Sequence, residues 1–501
     1  EIEGPLEVKR FRAAWDGVSR RHEVLRTTFS VVESGAMQCV HPSVAAEWQE
    51  ADWSQVVTEE AERAFGEYLN RDRLRGFDLA ESPLMRFGLF RVAESKWRFV
   101  WSHHHLQIDG WSWPLIFREV AALYRGEQLP PALPYRSYLK WLHQHNWSHS
   151  ETFWREYLRG FGRATTLASR NGSREKVEMN LQFSASETSA LLAFAREQRV
   201  TLSSVAQAIW GILAGAVTES NDVLFGVTFS GRPAELSGVE EMVGPCVNNL
   251  PVRVRLSPTD SFSKVAVALH AGSSVLAEHQ YVSGDRIQEW SELPWNEQLF
   301  DSLVVFQNYV IGDGAFRLAA DVQIENLVSP VRTAFPVTFV VTPGPELKLT
   351  VIAPAATAAS VLLNAIAAML NAVIRGSDIS VDDLKVLVPA SSRQLLTGGA
   401  IQRSQPASAA TAARSRTQEL IAGVWLEALR LDKVGSEENF FDLGGNSLLL
   451  VRMHSRLKTV LGIDFPIVKL FQYPTIAALA QFLEGQSQSG VQAATAASLG
   501  R

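Results

Sequence analysis

The sequence predicts an α+β protein of two large lobes followed by a small all-helical bundle. Three observations carry this. The chain has 501 residues, more than one hydrophobic core organises, which points to two to four compact units. Up to about Leu387, segments with helical spacing mix with short strand-like runs. Residues 389–415 then turn to Ala, Ser, Gln, Thr and Gly, too poor in apolar groups to bury a core, and three amphipathic stripes follow.

In the first lobe, residues 1–172, a helix is expected over 11–26 from the spacing of Phe11, Ala14, Trp15 and Val18. Residues 27–32 turn strand-like. Trp97-Arg98-Phe99-Val100-Trp101 is a short aromatic strand. After Gly110, Ser112 fits an N-cap and Pro114 the first turn of a helix with Ile116, Val120, Leu123 and Tyr124 on one side. Ser169-Arg170-Asn171-Gly172-Ser173 reads as the crossing into a second lobe, residues 173–388. There, 201–216 is a helix containing Trp210, and 223–230 a strand ending at Ser230-Gly231-Arg232-Pro233. Val252-Arg253-Val254-Arg255-Leu256 alternates strictly, with valines on one face and arginines on the other. Residues 302–310 and two strands around Pro343-Gly344-Pro345 continue a sheet.

A linker over 389–414 leads to the bundle, residues 415–486. Its stripes are Leu420, Ile421, Val424, Trp425 and Ala428, then Leu450, Met453, Leu457 and Val460, then Ile476, Leu479, Ala480 and Leu483, closed by Gly485. The tail, 487–501, is expected to lack structure. No repeat of fixed period relates the two large lobes.

Composition narrows the function. A net charge of -6 with no Lys/Arg-dense stripe argues against nucleic acid. Two cysteines, Cys39 and Cys246, leave no cysteine-rich metal site, so no metal is expected, and they suit a reducing, cytoplasmic setting. The first residues lack a signal-peptide core, and no stretch nears the length a membrane helix needs, so no membrane partner is expected.

Two motifs carry chemistry. His104-His105-Leu106-Gln107-Ile108-Asp109-Gly110 falls on a strand-to-helix loop, where rigid elements hold side chains that still reach open space. Imidazole titrates in the range acyl transfer needs. Asp109 can fix the loop by pairing with a cation, and Gly110 lets the backbone turn where a substrate must pass. The bland reading is a solvated histidine loop or a fortuitous metal site. Strand alternation turns His103 away from the others, and it reads as structural. The second motif, Asp442-Leu443-Gly444-Gly445-Asn446-Ser447-Leu448, lies between the first two helices of the bundle. Its plain reading is a helix cap at Ser447.

The first two lobes resemble the condensation domains of nonribosomal peptide synthetases, relatives of chloramphenicol acetyltransferase. The resemblance implies two similar lobes forming a V. It rests on Arg21-His22-Glu23-Val24-Leu25-Arg26-Thr27-Thr28-Phe29, on the histidine run continuing into Trp111-Ser112, and on Tyr135, Tyr138 and Trp141. It rests also on Ser230 to Pro233, on Val243-Gly244 through Asn248 and Arg253, and on Phe300-Asp301 and Phe306-Gln307-Asn308-Tyr309. Ser137 stands where an acid is usual, and Pro245-Cys246 and Asn249 replace commoner residues. His279-Gln280-Tyr281-Val282 keeps part of its motif. The opening motif is absent, so the chain is expected to start after the family's first element.

The resemblance implies His105 as the central catalytic residue, as base or as positioning group, within a site of His104, His105, Asp109 and Gly110. It implies that Asp109 pairs with an arginine of the other lobe, with Arg253 the matching position and Arg255 its competitor. Trp111, Asn248 and Asn308 become candidates for the substrate tunnel.

Residues 415–486 resemble a peptidyl carrier domain, which implies a 4'-phosphopantetheine arm on Ser447. The arm would come from coenzyme A through a phosphopantetheinyl transferase. The implied function is transfer of an acyl or peptidyl group from an upstream donor carrier to an amine on the carrier containing Ser447. Because only a linker separates the two parts, either an adenylation domain or other loading enzyme acts in trans, or an intervening part has been deleted. Ester formation, epimerisation and a non-catalytic recruiting platform are the rivals.

Overall fold

The structure, a computed structural model, describes residues 1–32, 35–168, 176–294, 297–307, 316–329, 333–376, 379–390, 392, 415–429, 431, 433–440, 443, 447–465, 469–470 and 473–485. The expected tail and nearly all of the expected linker lie outside these residues, as does Asn308.

Two six-stranded mixed sheets organise the first 388 residues. The first runs Arg317–Ala319, Val322–Ile324, Ile2–Glu3, Lys96–His103, Met85–Ala93, Glu47–Asp52. Helices Val8–Arg21 and Ser112–Arg125 bury their apolar stripes against it. Trp15 is the centre of that packing, with Trp101 at 4.8 Å, Phe87 at 4.9 Å and Phe117 at 5.8 Å between ring centroids. Rings at these distances add to the burial of so much apolar area. Helix Thr58–Arg75 brings Tyr68 against Phe90, 4.7 Å away, which points from the strand opposite to Phe87 and Leu89.

The second sheet runs Val177–Gln182, Lys348–Ala353, Val337–Thr342, Ser302–Phe306, Asp222–Phe229, Asn248–Arg255. Its centre is parallel and its flanks antiparallel. Helices Leu202–Thr218 and Ala356–Arg375 are apolar nearly all round because the sheet and neighbouring helices cover them. Trp210 stacks on Phe339 and donates its indole N–H to Ser302 Oγ at 3.1 Å. Helix Ala356–Arg375 is, at 20 residues, long and apolar enough to cross a bilayer, which the sequence reading missed. Its Leu362, Ile366, Met369 and Val373 are buried in the lobe core.

Lobe membership does not follow the expected split between 172 and 173. Trp154, Leu158 and Phe161 already belong to the second core. Residues Val322–Ile324 return to the first sheet, where Ile324 pairs with Ile2 and Gln323 with Glu3.

The third unit has its own core. Helices Arg416–Leu429, Ser447–Leu461 and Ile476–Gly485 bury Trp425, Phe440, Met453, Leu457, Ile476 and Leu483. Leu420, expected in the first stripe, is exposed.

Candidate active site

Residues 104–110 connect strand Lys96–His103 to helix Ser112–Arg125. Backbone bonds shape the loop: His104 N–H donates to Leu84 O and Gln107 N–H to His104 O, both at 3.0 Å. His104 Nδ1 accepts from Leu106 N–H at 3.2 Å, so this imidazole is spent on the turn. Burial, and then the adjoining His105, hold His104 below the ordinary imidazole range. Gln107, fully buried, donates to Val24 O at 3.2 Å. His105 stands exposed, and its ring makes no hydrogen bond among the described residues. The loop therefore offers one free imidazole on a stiff base. His103 lies against Trp101, 4.5 Å away, and burial pushes it down to about 4.

Asp109 is the lock of this loop. Its side chain is 1% exposed, so it does not reach a substrate. Oδ1 accepts from the backbone N–H groups of Trp111 and Ser112 and from Ser112 Oγ, at 3.1, 3.1 and 2.8 Å. It thereby caps the helix, the role expected of Ser112. Oδ2 accepts from Cys246 and Val247 N–H at 3.0 and 3.2 Å. Arg232 completes the set, Nη1 to Oδ2 at 2.9 Å and Nη2 to Oδ1 at 3.2 Å. Burial works against the Arg232 charge, yet Asp109 raises the guanidinium above its ordinary value.

The expected Asp109–Arg253 pair is not formed. Arg253 turns to Asp222 on the neighbouring strand, with bonds of 2.8 and 2.6 Å, and donates also to the carbonyls of Tyr157 and Arg159. Alternation gave the arginine's face and not its partner. The cation across the lobes comes from Arg232, in the run Ser230-Gly231-Arg232-Pro233.

Close backbone approach makes the junction. Gly231 has φ +62°, and a Cβ there would lie 1.7 Å from Cys246 O. Gly244, at φ +158°, leaves no room for a Cβ beside the Tyr135 ring. Ser112 Oγ accepts from Gly244 N–H at 3.0 Å, and Tyr135 donates to Pro245 O at 2.8 Å. Burial raises both the Tyr135 hydroxyl and the Cys246 thiol, the latter to about 12.

The tunnel candidates separate. Asn248 gives its amide N–H groups to Gln280 O and Val282 O at 2.8 and 2.6 Å and accepts from Asn249 N–H. These bonds make it a brace between two segments, and it stays half-buried. Trp111 and Gly110 are half-buried at the start of the helix. The early motif is also structural: Arg21 and His22 both bind Glu119, at 3.0 and 2.6 Å, joining two helices. Burial raises the Glu119 carboxyl, and these two partners outweigh it and hold it low.

A family model described as the condensation domain matches residues 1–396. The chain belongs to this family. A second family model, the phosphopantetheine attachment site, matches residues 419–483, so a condensation domain is joined here to a carrier domain. A linear gramicidin synthase of Brevibacillus parabrevis is 35% identical over 413 residues, covering 78% of this chain and 8% of that protein. Surfactin synthase subunit 3 of Bacillus subtilis is 34% identical over 324 residues, covering 62% and 25%. The chain thus spans a small part of these relatives.

Among solved structures, the X-domain from teicoplanin biosynthesis aligns with TM-score 0.64 at 21% identity, covering 76% of this chain and 90% of its own. The starter condensation domain of rhizomide synthetase gives 0.64 at 20%, covering 76% and 89%. At that identity the likeness shows the fold, the chloramphenicol-acetyltransferase-like one.

In the carrier domain, Ser447 is the first residue of helix Ser447–Leu461. Asp442 and the residues 444–446 lie outside the described ones. A phosphodiester suits a helix start, where backbone N–H groups favour anions, and the first turn here carries no acidic residue.

Proposed function

We propose that this didomain joins an acyl or peptidyl group, presented as a thioester by an upstream carrier, to an amine held by its own carrier domain. An amide forms. The observation that carries the reading is the free His105 imidazole, held at the lobe junction by an Asp109 that is buried and fully engaged. The amine nitrogen bonds to the thioester carbonyl carbon, the carbon–sulfur bond breaks, and the amine proton ends on the departing sulfur. His105 accepts a hydrogen bond from the amine and so aims it at the carbonyl. Asp109 and Arg232 keep that imidazole in place without touching substrate.

We place the phosphopantetheine arm on Ser447, transferred from coenzyme A by a phosphopantetheinyl transferase. When attached, the arm supplies a thiol that holds substrate as a thioester. Loading by an adenylation domain or similar enzyme in trans follows from the direct step between the two domains in sequence. The free thiols of Cys39 and Cys246 support a reducing, cytoplasmic setting.

Two experiments test this. His105→Ala should slow transfer between loaded carriers by two to four orders of magnitude, about 3 to 5 kcal/mol of barrier, with an unchanged melting temperature. Unchanged transfer in intact-protein mass spectrometry would refute the assignment. Incubation with coenzyme A and the transferase should add one arm per chain, and Ser447→Ala should abolish the mass gain. Persistent modification would place the arm elsewhere.

A further inference from the structure

Gln280 is 7% exposed and every polar atom of its side chain is used. Oε1 accepts from Gly231 N–H at 2.9 Å, and Nε2 donates to Ala277 O at 2.9 Å and to the Tyr281 hydroxyl at 3.3 Å. Its own carbonyl is held by Asn248. One residue earlier, His279 binds Ser150 Oγ at 3.0 Å and stacks on Phe153 at 4.0 Å, which anchors the segment to helix Ser148–Leu158. Gly231 is the residue before Arg232 and lies directly against Cys246 O. Arg232 and Cys246 N–H are both donors to Asp109. The amide of Gln280 thus fixes the one backbone point from which two of the Asp109 contacts depart.

We propose that Gln280 is a positioning residue for the transfer reaction, acting through Gly231 and Arg232 on the loop that carries His105. The inference rests on the condensation reading above. Without the Gln280 acceptor, Gly231 N–H is buried and unpaired, and the turn can relax only by moving Arg232 or the Cys246 backbone. Both movements loosen Asp109. The effect is therefore expected in the rate at saturation and not in binding of the carriers.

The test measures transfer between preloaded carriers by intact-protein mass spectrometry, on the whole didomain. Gln280→Leu removes the amide at similar volume, and Gln280→Asn keeps an amide too short to reach Gly231. Each should lower kcat about 10- to 100-fold and change KM for the donor carrier by less than about twofold. Gln280→Glu keeps an acceptor for Gly231 N–H but sets its second oxygen against Ala277 O, so it should recover part of the rate. In an Arg232→Lys background, Gln280→Asn should add less than about threefold, since both changes act on the same contact. Wild-type kcat in Gln280→Asn would overturn the proposal, as would a full multiplicative loss in the Arg232→Lys background. A loss confined to KM would also overturn it. If the wild-type protein itself transfers nothing between carriers of verified loading, the condensation reading fails instead.

Discussion

Arg232 and Arg253 both sit in the second lobe with side chains less than a tenth exposed, and each reaches an aspartate, at 2.9 and 2.6 Å. They differ in what they join. Arg253 and Asp222 lie on adjacent antiparallel strands as diagonal neighbours on one face, Asp222 standing directly opposite Arg255. Arg232 leaves a turn and crosses to Asp109, in a loop of the other lobe. Asp222 is 36% exposed, whereas Asp109 is 1% exposed and also accepts from four backbone N–H groups. The first pair reinforces a contact the sheet makes anyway. The second creates one that nothing local would make, and the free His105 imidazole of the histidine run hangs from it.

The comparison breaks most sharply at Arg232. Arg232→Ala leaves a carboxylate buried without its cation, so it should cost about 3 to 5 kcal/mol of stability and stop transfer. Asp109→Ala should do the same, and the double variant should lose far less than the sum. Additive losses in urea unfolding would show that the two charges do not depend on each other. Arg253→Ala should be milder, about 2 kcal/mol, because Asp222 can turn to water. Transfer per folded molecule should stay within about twofold. Asp109→Ala and Arg253→Ala should combine additively. A coupling between them would restore the pairing expected from the family pattern.

The error about Arg253 shows what a sequence carries. Strand alternation in Val252-Arg253-Val254-Arg255 puts both arginines on one face, yet Arg253 is shielded while Arg255 is exposed. A face does not name a partner, and the partner was the aspartate one strand away. Arg232 gave no periodic signal, because it follows a glycine at positive φ in a turn. The run Ser230-Gly231-Arg232-Pro233 held the hint, since the proline that follows restricts the arginine's backbone to few conformations. The frame of the site was legible: an aromatic strand, a loop of histidines, then a helix with Pro114 in its first turn. The residue that caps this helix was not, because Asp109 does so by folding back from outside it. The return of Val322–Ile324 to the first sheet also left no pattern. Strands of three residues are too short for alternation to be read.

Acid should separate the two pairs by the smallest effect. His103 ends the strand that feeds the Asp109 loop, and burial, with His105 and His104 nearby, lowers it to about 4 from 6.5. Neither strand of the Arg253–Asp222 pair contains a histidine. As pH falls, the unfolded chain takes up the proton first, so between 6.5 and 4 it binds more protons than the folded one. The contribution of a neutral His103 is therefore full above 6.5, declines as pH falls through that value, and levels off near 4. At pH 5.5 the loss should be about 1 kcal/mol. His103→Phe keeps a ring beside Trp101 and cannot titrate, so its unfolding free energy should fall less between pH 7.5 and 5.5. Amide exchange gives the local version of the test. In the wild type, protection at residues 104–112 should drop on acidification before that of Asp222–Phe229, and the His103→Phe variant should erase the difference. Equal loss in both segments, or the same slope in the variant, would show that the strand carries no acid liability and that the cross-lobe pair is no more exposed to pH than its neighbour.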